Sequence, residues 1–525
     1  MSHRSTNLRR SVVLGLLALG LLAPAAQAAP NQITIMQDDD ALIYRDDATR
    51  DAAMRKMKGL GVDAIRVTIL WDRVAENAQR TKALRKRFRK LGADDPRAYP
   101  RLNWDRYDRL VRASKTLKLP VYFNITGPGP KWGHAKAPKG IRSSVAKAWR
   151  PKEREFYKFV KAVGKRYSGK FRDENDGRHL IPRVGIWSLW NEPNQAGWLA
   201  PQWSNNKTAS PQIYRKLWFW GRRALVSTGH GRDTIFVGET APIGQGGRRT
   251  SKSAMRPKTF LRAFFCLDRQ DKGCTDYDKY GPVRTAAFAH HPYTKKNSPF
   301  ERERDPEALT LANIGELESL LDEAAVRGRI APQTPIVSSE FGYETNPPDP
   351  HQGIPLADQS NNLVLGEFLT FNNPRIIGHS QFLLNDTSPV RKHTKNSKAY
   401  WFTYQSGLFN RAGTAKPAAG AWAFPFVSAT TAIDPTTGSR NVLTWGFLRF
   451  RPNDLPPGFQ DVVQLQFRPA DGSTDWVNVG APVLVTNGKG YFQHAVETPG
   501  PGALRAYWSG SQLPFHAFSA TGTVG

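Results

Sequence analysis

The stretch Val184-Gly-Ile-Trp-Ser-Leu-Trp190, followed directly by Asn191-Glu192-Pro193-Asn194, carries the clearest structural signal in this chain. Its first seven residues are rich in apolar and aromatic side chains and show no strict alternation with polar positions. Such a run predicts a strand that is buried on both faces, as in a parallel sheet covered by helices. A carboxylate directly after a buried strand is costly unless it has a partner. Glu192 is therefore the first candidate site residue.

Similar apolar runs alternate with helical patterns from residue 31 to about residue 426. The predicted strands are Ile33–Gln37, Ala64–Leu70, Pro120–Thr126, Val184–Trp190, Thr234–Gly238, Ala286–His290, Pro335–Ser339 and Ile377–Leu384. The predicted helices are Ala48–Leu60, Trp104–Leu117, Pro151–Tyr167, Pro211–Ser227, Thr259–Cys266, Leu309–Arg327, Leu356–Phe371 and Lys416–Phe426. Eight such repeats predict an α/β fold, a (β/α)8 TIM barrel with long loops. No G-x-G-x-x-G or P-loop motif follows any of these strands, which argues against a nucleotide site.

The C-terminal part of the chain has a different pattern. It shows short alternating runs without a helical period, separated by turn signals such as Asp471-Gly472 and Asn487-Gly488. We therefore predict a barrel domain over residues 30–428 and a small all-β sandwich over residues 429–525. No long low-complexity linker separates them, so we expect the two domains to pack directly.

Residues 1–29 are typical of an export signal peptide. Arg4, Arg9 and Arg10 precede the apolar segment Val12–Leu22, and Ala26-Gln27-Ala28 fits an A-x-A cleavage site. The apolar segment is too short to span a membrane comfortably. We expect a secreted, extracellular protein without stable membrane insertion, and a monomer. The export route stays open, since Arg9-Arg10 alone is weak evidence for the twin-arginine pathway.

The chain contains two cysteines, Cys266 and Cys274, separated by a polar segment. In an exported protein such a pair predicts a small disulfide more often than a metal site or a nucleophile.

The charge is strongly basic, with 75 Lys and Arg against 45 Asp and Glu, a formal net charge of +30. Three interpretations compete: a solvated surface, a surface for an anionic glycan or cell envelope, and a nucleic-acid surface. The basic residues are spread along the chain and no nucleic-acid-binding motif is present. The densest run, from Lys82 to Lys90, is more often a solvated face than a binding patch. We favour a solvated surface, keep the anionic glycan as a second possibility, and expect no nucleic acid.

A second acidic residue ends a buried run at Pro335-Ile-Val-Ser-Ser-Glu340-Phe-Gly342-Tyr343. In a TIM barrel all strands end at the same face, where the active site lies. Glu192 and Glu340 would thus meet across one opening. Cleavage of a glycosidic bond needs one carboxylic acid to protonate the leaving oxygen and one carboxylate at the anomeric carbon.

Asn191-Glu192-Pro193 on the fourth strand and Glu340-Phe-Gly342 on the seventh resemble the signature of the clan A retaining glycoside hydrolases. The likeness is to the cellulase-like barrels of the family 5 and family 39 type and covers about residues 33–426. It implies that Glu192 is the acid/base and Glu340 the nucleophile, with carboxyl groups about 5–5.5 Å apart. It also leads us to expect a raised pKa for Glu192 and an ionised Glu340.

The resemblance implies roles for further residues. Arg66 would support the nucleophile, and Asn191 would bind the sugar 2-hydroxyl. His291 would line the −1 sugar subsite, and Tyr293 would donate to the nucleophile. Aromatic residues in loops after the strands are candidates for sugar stacking: Trp71, Trp132, Trp198 and Tyr343. No cofactor and no metal is implied, since no carboxylate or cysteine stands at metal-ligand spacing from His290-His291.

The resemblance is incomplete in two places. No histidine stands at the end of the third strand, where Asn124 and Gly127 lie, and the eighth strand lacks the usual tryptophan. The expected function is a secreted retaining hydrolase of O-glycosidic, β-linked bonds in a poly- or oligosaccharide. The first alternative is a non-catalytic, carbohydrate-binding barrel associated with the cell envelope. The second is an unrelated barrel enzyme such as a metal-dependent hydrolase, against which the missing metal ligands count. The glycan, its linkage, endo or exo action and transglycosylation stay open.

Overall fold

The computed structural model describes residues 29, 31–247, 249–268, 275–451, 461–508 and 517–525. Eight parallel strands close into a barrel in which each strand pairs with its sequence neighbours and the eighth pairs with the first. They are β1 Ile33–Gln37, β2 Ala64–Leu70, β3 Val121–Thr126, β4 Ile186–Leu189, β5 Thr234–Thr240, β6 Ala287–His290, β7 Ile336–Phe341 and β8 Ile376–Phe382. The predicted TIM barrel is confirmed. Strand β5 extends two residues further than predicted, which places Glu239 inside it.

The outer helices follow the strands in turn. They are α1 Asp47–Gly59, α2 Arg101–Leu117, α3 Glu153–Arg166, α4 Ser210–Leu225, α5 Pro257–Phe265, α6 Ile314–Val326, α7 Leu356–Phe371 and α8 Pro417–Ala423. Each buries one apolar face against the barrel; on α3 this face includes Phe156, Phe159 and Val163. The last helix is shorter than predicted, because Phe426 begins a strand of the C-terminal region.

The basic run at Lys82 forms an additional helix, Lys82–Leu91, in the long connection between β2 and α2. The hydroxyl of Thr81 caps it by accepting from the main-chain N–H of Leu84 at 3.2 Å. Phe88 is its one buried residue and packs edge-on against Tyr99 and Trp132. We call this element the basic helix.

The C-terminal region consists of two antiparallel sheets. The first contains β9 Phe426–Ile433, β10 Arg440–Phe447 and β14 Tyr491–Thr498. The second contains β11 Asp461–Pro469, β12 Val477–Asn478, β13 Val483–Val485, β15 Gly502–Trp508, β16 Ala517–Phe518 and β17 Gly522–Val524. Apolar residues of both sheets, among them Val442, Val496, Leu465 and Leu504, form one buried cluster. The predicted sandwich is therefore present.

The sandwich packs directly against the barrel. Phe368 and Phe371 of α7 lie in one apolar cluster with Trp445 and Tyr491 of the first sheet. Within this contact Arg449 and Glu367, both buried, form an ion pair at 2.7 Å. The N-terminal end of the barrel and the sandwich thus share a core.

Two predictions fall on residues outside the described part of the chain. The export signal lies outside the described residues except for Ala29, whose N–H donates to the carbonyl of Phe371 at 2.7 Å. Cys274 also lies outside them, so its pairing with Cys266 stays a prediction. Among the described residues, no helix is both long and apolar enough to cross a membrane.

Candidate active site

The C-terminal ends of the barrel strands surround a cavity of about 500 Å³. Glu192 and Glu340 both line it, together with Asn191 and Tyr293. The two glutamates come from β4 and β7, which lie three strands apart in the barrel. The structure therefore brings the two strand-end carboxylates to one opening, at the face where TIM barrels carry their chemistry.

Glu192 follows β4 in a left-handed main-chain conformation, with φ of 39°. Its main-chain N–H donates to the carbonyl oxygen of Glu239 at 2.8 Å. Its carboxylate Oε1 lies 3.1 Å from Nδ1 of His291. Non-glycine residues with positive φ are strained and persist where their surroundings fix them, often at functional sites. The loop after β4 thus presents the Glu192 carboxylate to the cavity in one fixed orientation.

Glu340 lies near the end of β7 and is held by two donors. Nη1 of Arg66 lies 2.9 Å from its Oε1, and the hydroxyl of Tyr293 donates to its Oε2 at 3.1 Å. Both contacts favour the ionised carboxylate. Burial acts in the opposite direction and is the largest influence, so the pKa of Glu340 is raised. Nearby Glu192 and Glu239 add to the rise, whereas His291 and Arg66 oppose it. This direction differs from our expectation, because the sequence did not reveal how deeply Glu340 is buried or that two further carboxylates lie beside it.

The two candidate catalytic groups lie within reach of one bond. One oxygen of Glu192, one oxygen of Glu340 and one ring nitrogen of His291 all lie within 4.8 Å of one another. Asn191 is adjacent, and its side-chain oxygen accepts from Nη2 of Arg66 at 2.9 Å. The residues that the resemblance singled out within β2 and at the ends of β4, β6 and β7 therefore meet in one contiguous cluster.

His291 is fully buried between the carboxylates. Its Nδ1 lies 3.5 Å from Oε2 of Glu340, and its Nε2 lies 3.7 Å from Oε2 of Glu239. Burial lowers the pKa of His291, but the charge of Glu340 and the contacts with Glu192 and Glu239 outweigh it and raise this pKa to about 9. The imidazole is therefore protonated at neutral pH and supplies a second positive charge beside Arg66.

Sequence reasoning missed a third glutamate. Glu239, near the end of β5, is fully buried, and Arg66 forms an ion pair with its carboxylate. Asn124 donates to its Oε2 at 2.8 Å and Ser188 to its Oε1 at 2.6 Å. The hydroxyl of Tyr122 donates to the same carboxylate. Burial would raise the pKa of Glu239, but the charge of Arg66 and further donors hold it well below its ordinary value.

Glu239 explains one departure from the family pattern. Asn124 stands at the third-strand position where a histidine is usual, and its amide donates to Glu239 and to the main-chain carbonyl of Trp190 at 3.0 Å. The sequence contains a signal for this residue, because in Val237-Gly-Glu-Thr240 an acidic residue again follows a buried apolar run. The rule that identified Glu192 and Glu340 applies to it as well.

The aromatic candidates divide into two groups. Trp198 lines the cavity. Trp71 is buried in the barrel's outer core and stacks on Phe159 at 5.5 Å, and Trp132 packs on Phe88 at 5.2 Å. Tyr343 is also buried, with its hydroxyl bound to Thr294. Three of the candidates do not line the cavity and so are not positioned to stack on a sugar bound there: Trp71, Trp132 and Tyr343.

Two aromatic residues that the sequence did not single out line the cavity instead, Phe382 and Tyr404. Phe382 ends β8, the strand that lacks the usual tryptophan, and the ring of Tyr404 packs edge-on against it at 5.0 Å. Tyr404 is 55% exposed, so part of this residue is open to a ligand in the cavity.

Glu192, His291 and Glu340 also form a set of one imidazole and two carboxylates that could hold a metal ion. The chemistry of the set is therefore compatible with a cation, which the sequence did not lead us to expect. Arg66 weakens this interpretation, because its guanidinium already neutralises Glu340 at 2.9 Å. A protonated His291 cannot coordinate a metal through either nitrogen until it loses a proton.

No protein-family profile and no curated protein sequence matches the chain. Among solved structures, it is similar to a glucosidase from Croceicoccus marinus, with 11% identity, a TM-score of 0.49, and coverage of 89% of this chain and 94% of the other. It is also similar to a GH5_18 protein from Streptomyces cattleya solved with GlcNAc, with 15% identity, a TM-score of 0.43, and coverage of 75% and 79%. A third is Fpglu1 from fervidobacterium pennivoraus, with 12% identity, a TM-score of 0.43, and coverage of 75% and 95%. These identities are too low to carry an activity from those proteins to this chain.

Proposed function

We propose that the protein is a secreted retaining glycoside hydrolase that cleaves β-linked O-glycosidic bonds of a poly- or oligosaccharide. The observation that carries the proposal is the position of Glu192 and Glu340 at one cavity, with carboxylate oxygens within 4.8 Å of each other. Inverting enzymes keep their carboxyl groups about 6.5–9.5 Å apart to admit a water, whereas retaining enzymes keep them about 5–5.5 Å apart. An oxygen pair within 4.8 Å favours the shorter, retaining separation, and the products of azide rescue decide between the two reactions. Secretion rests on the signal-like residues 1–29.

The contacts support distinct roles for the two glutamates. Glu340 forms an ion pair with Arg66 and accepts from Tyr293; both contacts favour its carboxylate form against the effect of burial, and a carboxylate held in this way is suited to attack the anomeric carbon. In the first step the Glu340 oxygen forms a bond to that carbon while the glycosidic C–O bond breaks and Glu192 gives its proton to the leaving oxygen. In the second step a water attacks the same carbon, Glu192 takes its proton, and the bond to Glu340 breaks.

The proposal is tested with Glu192→Ala and Glu340→Ala on a panel of aryl β-glycosides and β-glucans. Both variants should lose several orders of magnitude in kcat on unactivated substrates. In Glu192→Ala, azide should replace the attacking water and give a β-glycosyl azide. In Glu340→Ala, azide should replace the nucleophile on the opposite face of the sugar and give an α-glycosyl azide.

The matched control is Glu497→Ala, which removes an exposed glutamate on the C-terminal sheet and should leave kcat unchanged. Full turnover in both cavity variants would exclude the proposed roles. Binding of glycans without turnover by the unmodified protein would instead favour the non-catalytic barrel.

A further inference from the structure

The basic residues are not uniformly solvated, because the fold gathers one group of them around a second cavity. This cavity has a volume of about 770 Å³ and lies between the loop from α3 to β4, the segment 95–97 and the segment 227–229. The positively charged residues that line it are Arg97, Lys165, Lys170, Arg172, Arg178 and Arg183. Asp95 is the one carboxylate among the residues that line it.

Half of these cations have no acidic partner. Arg97 pairs with Asp95 at 2.6 Å, Lys165 with Asp94 at 2.9 Å, and Arg183 with Asp233 at 2.5 Å. Lys170, Arg172 and Arg178 are exposed and make no ion pair with any described residue. The acidic residues of the same loop are already engaged with arginines on α2 and α3: Asp173, Glu174 and Asp176. Three of the six positive charges that line the cavity are therefore uncompensated.

The basic helix continues this surface. It carries six exposed cations and no acidic residue: Lys82, Arg85, Lys86, Arg87, Arg89 and Lys90. Nη2 of Arg87 donates to the main-chain carbonyl of Arg97 at 2.9 Å, which joins the helix to the rim of the cavity. Like charges held this close repel one another, and a bound polyanion relieves that repulsion.

The substrate cavity has the opposite character. Its charged lining comprises five carboxylates and one lysine: Asp39, Asp40, Glu192, Glu340, Glu344 and Lys295. Lys295 is the one cation among the described residues that line this cavity, and the cations behind it, Arg66 and His291, are buried against carboxylates. The unpaired cations of the basic surface therefore lie outside the catalytic cavity.

We propose that the basic helix and the adjoining cavity form a binding site for an acidic polysaccharide, separate from the catalytic cavity. Proteins that bind single-stranded nucleic acid stack its bases on exposed aromatic rings, but Phe88 is buried and Phe171 lies half-buried beneath Arg166. A DNA duplex is a rigid cylinder, whereas the unpaired cations are divided between a helix and the lining of a cavity. A flexible chain of carboxylated or sulfated sugars reaches both.

The test measures binding of the full-length mature protein to polygalacturonate, dextran sulfate, neutral dextran and a short DNA duplex over a range of salt concentrations. The first two probes distinguish carboxylate from sulfate recognition. The unmodified protein should bind at least one of them well above dextran, with an affinity that falls steeply as salt rises. The variant Lys170→Gln/Arg172→Gln/Arg178→Gln should lose roughly tenfold or more in affinity at about 0.15 M salt.

The matched control is Arg391→Gln/Lys392→Gln/Lys395→Gln, which removes three exposed cations on the loop after β8, across the barrel from β4. It has the same net charge as the cavity variant and should lose much less affinity. Equal losses in the two variants, no preference over dextran, or tighter binding of the duplex would each overturn the proposal. Turnover of a neutral aryl glycoside should be unchanged in both variants, so failure of this site and failure of the hydrolase assignment are separately visible.

Discussion

The main-chain N–H of Glu192 donates to the carbonyl oxygen of Glu239 at 2.8 Å. Through its side chain the same Glu239 pairs with Arg66, which in turn lies 2.9 Å from Glu340. One buried residue therefore supports both candidate catalytic carboxylates, the first through its main chain and the second through an arginine. Groups one contact removed from the reacting atoms orient those atoms and tune their charge.

Glu239→Gln should lower kcat by about 10- to 100-fold with a smaller change in KM. The glutamine keeps the shape of the side chain but removes the negative charge that faces Arg66 and His291. Loss of that charge should also lower the pKa of His291, which NMR titration of the ring protons measures. Glu174→Gln, which removes a partner of Arg166 outside the cavity, is the control. Unchanged kcat and an unchanged His291 titration would contradict a positioning role.

His291 should make the protein less stable as the pH rises. Its pKa is raised to about 9 from 6.5, so the folded state holds this proton more tightly than the unfolded state does. The stabilisation is fully present below pH 6.5 and is lost as the pH rises through 9, with a total on the order of 3 kcal/mol. Denaturant unfolding of the unmodified protein and of His291→Gln between these pH values measures it. Parallel curves for the two proteins would show that His291 does not contribute.

Tyr404→Ala should affect substrate binding, whereas Trp71→Ala should affect the stability of the fold. Tyr404 lines the cavity and is half exposed, so its loss should raise KM about tenfold with little change in unfolding free energy. Trp71 is buried against Phe159, and its loss should cost about 3–5 kcal/mol of stability. A change in KM for Trp71→Phe, with stability retained, would restore Trp71 as a sugar platform.

Removal of metal ions by a chelator should distinguish the proposed metal-independent glycosidase from a metal-dependent enzyme. If Arg66 and the proton on His291 neutralise the cluster, dialysis against EDTA should leave kcat unchanged. Added Zn²⁺ should inhibit by binding Glu192, His291 and Glu340 only as the pH approaches 9, where His291 loses its proton. Loss of activity on chelation, with recovery on addition of a divalent cation, would identify a metal site instead.

The pattern of buried runs was sufficient to predict the barrel, because a parallel strand covered on both faces must be apolar along its length. The same pattern identified Glu192 and Glu340, since an acidic residue that ends such a run stands out locally. Arg66, Asn191, His291 and Tyr293 were placed by resemblance, and the structure brings all four to the two glutamates.

The sequence by itself determined which residue types end the strands and how much positive charge the chain carries, because burial period and charge are properties of local segments. Only the tertiary structure decided what those residues contact. The ionised state of buried Glu239 depends on donors from β2, β3 and β4. Trp71 packs against Phe159, and Trp132 packs against Phe88, instead of lining the cavity. The basic helix borders a cavity because Arg87 reaches Arg97, and contacts between distant segments follow from folding of the whole chain.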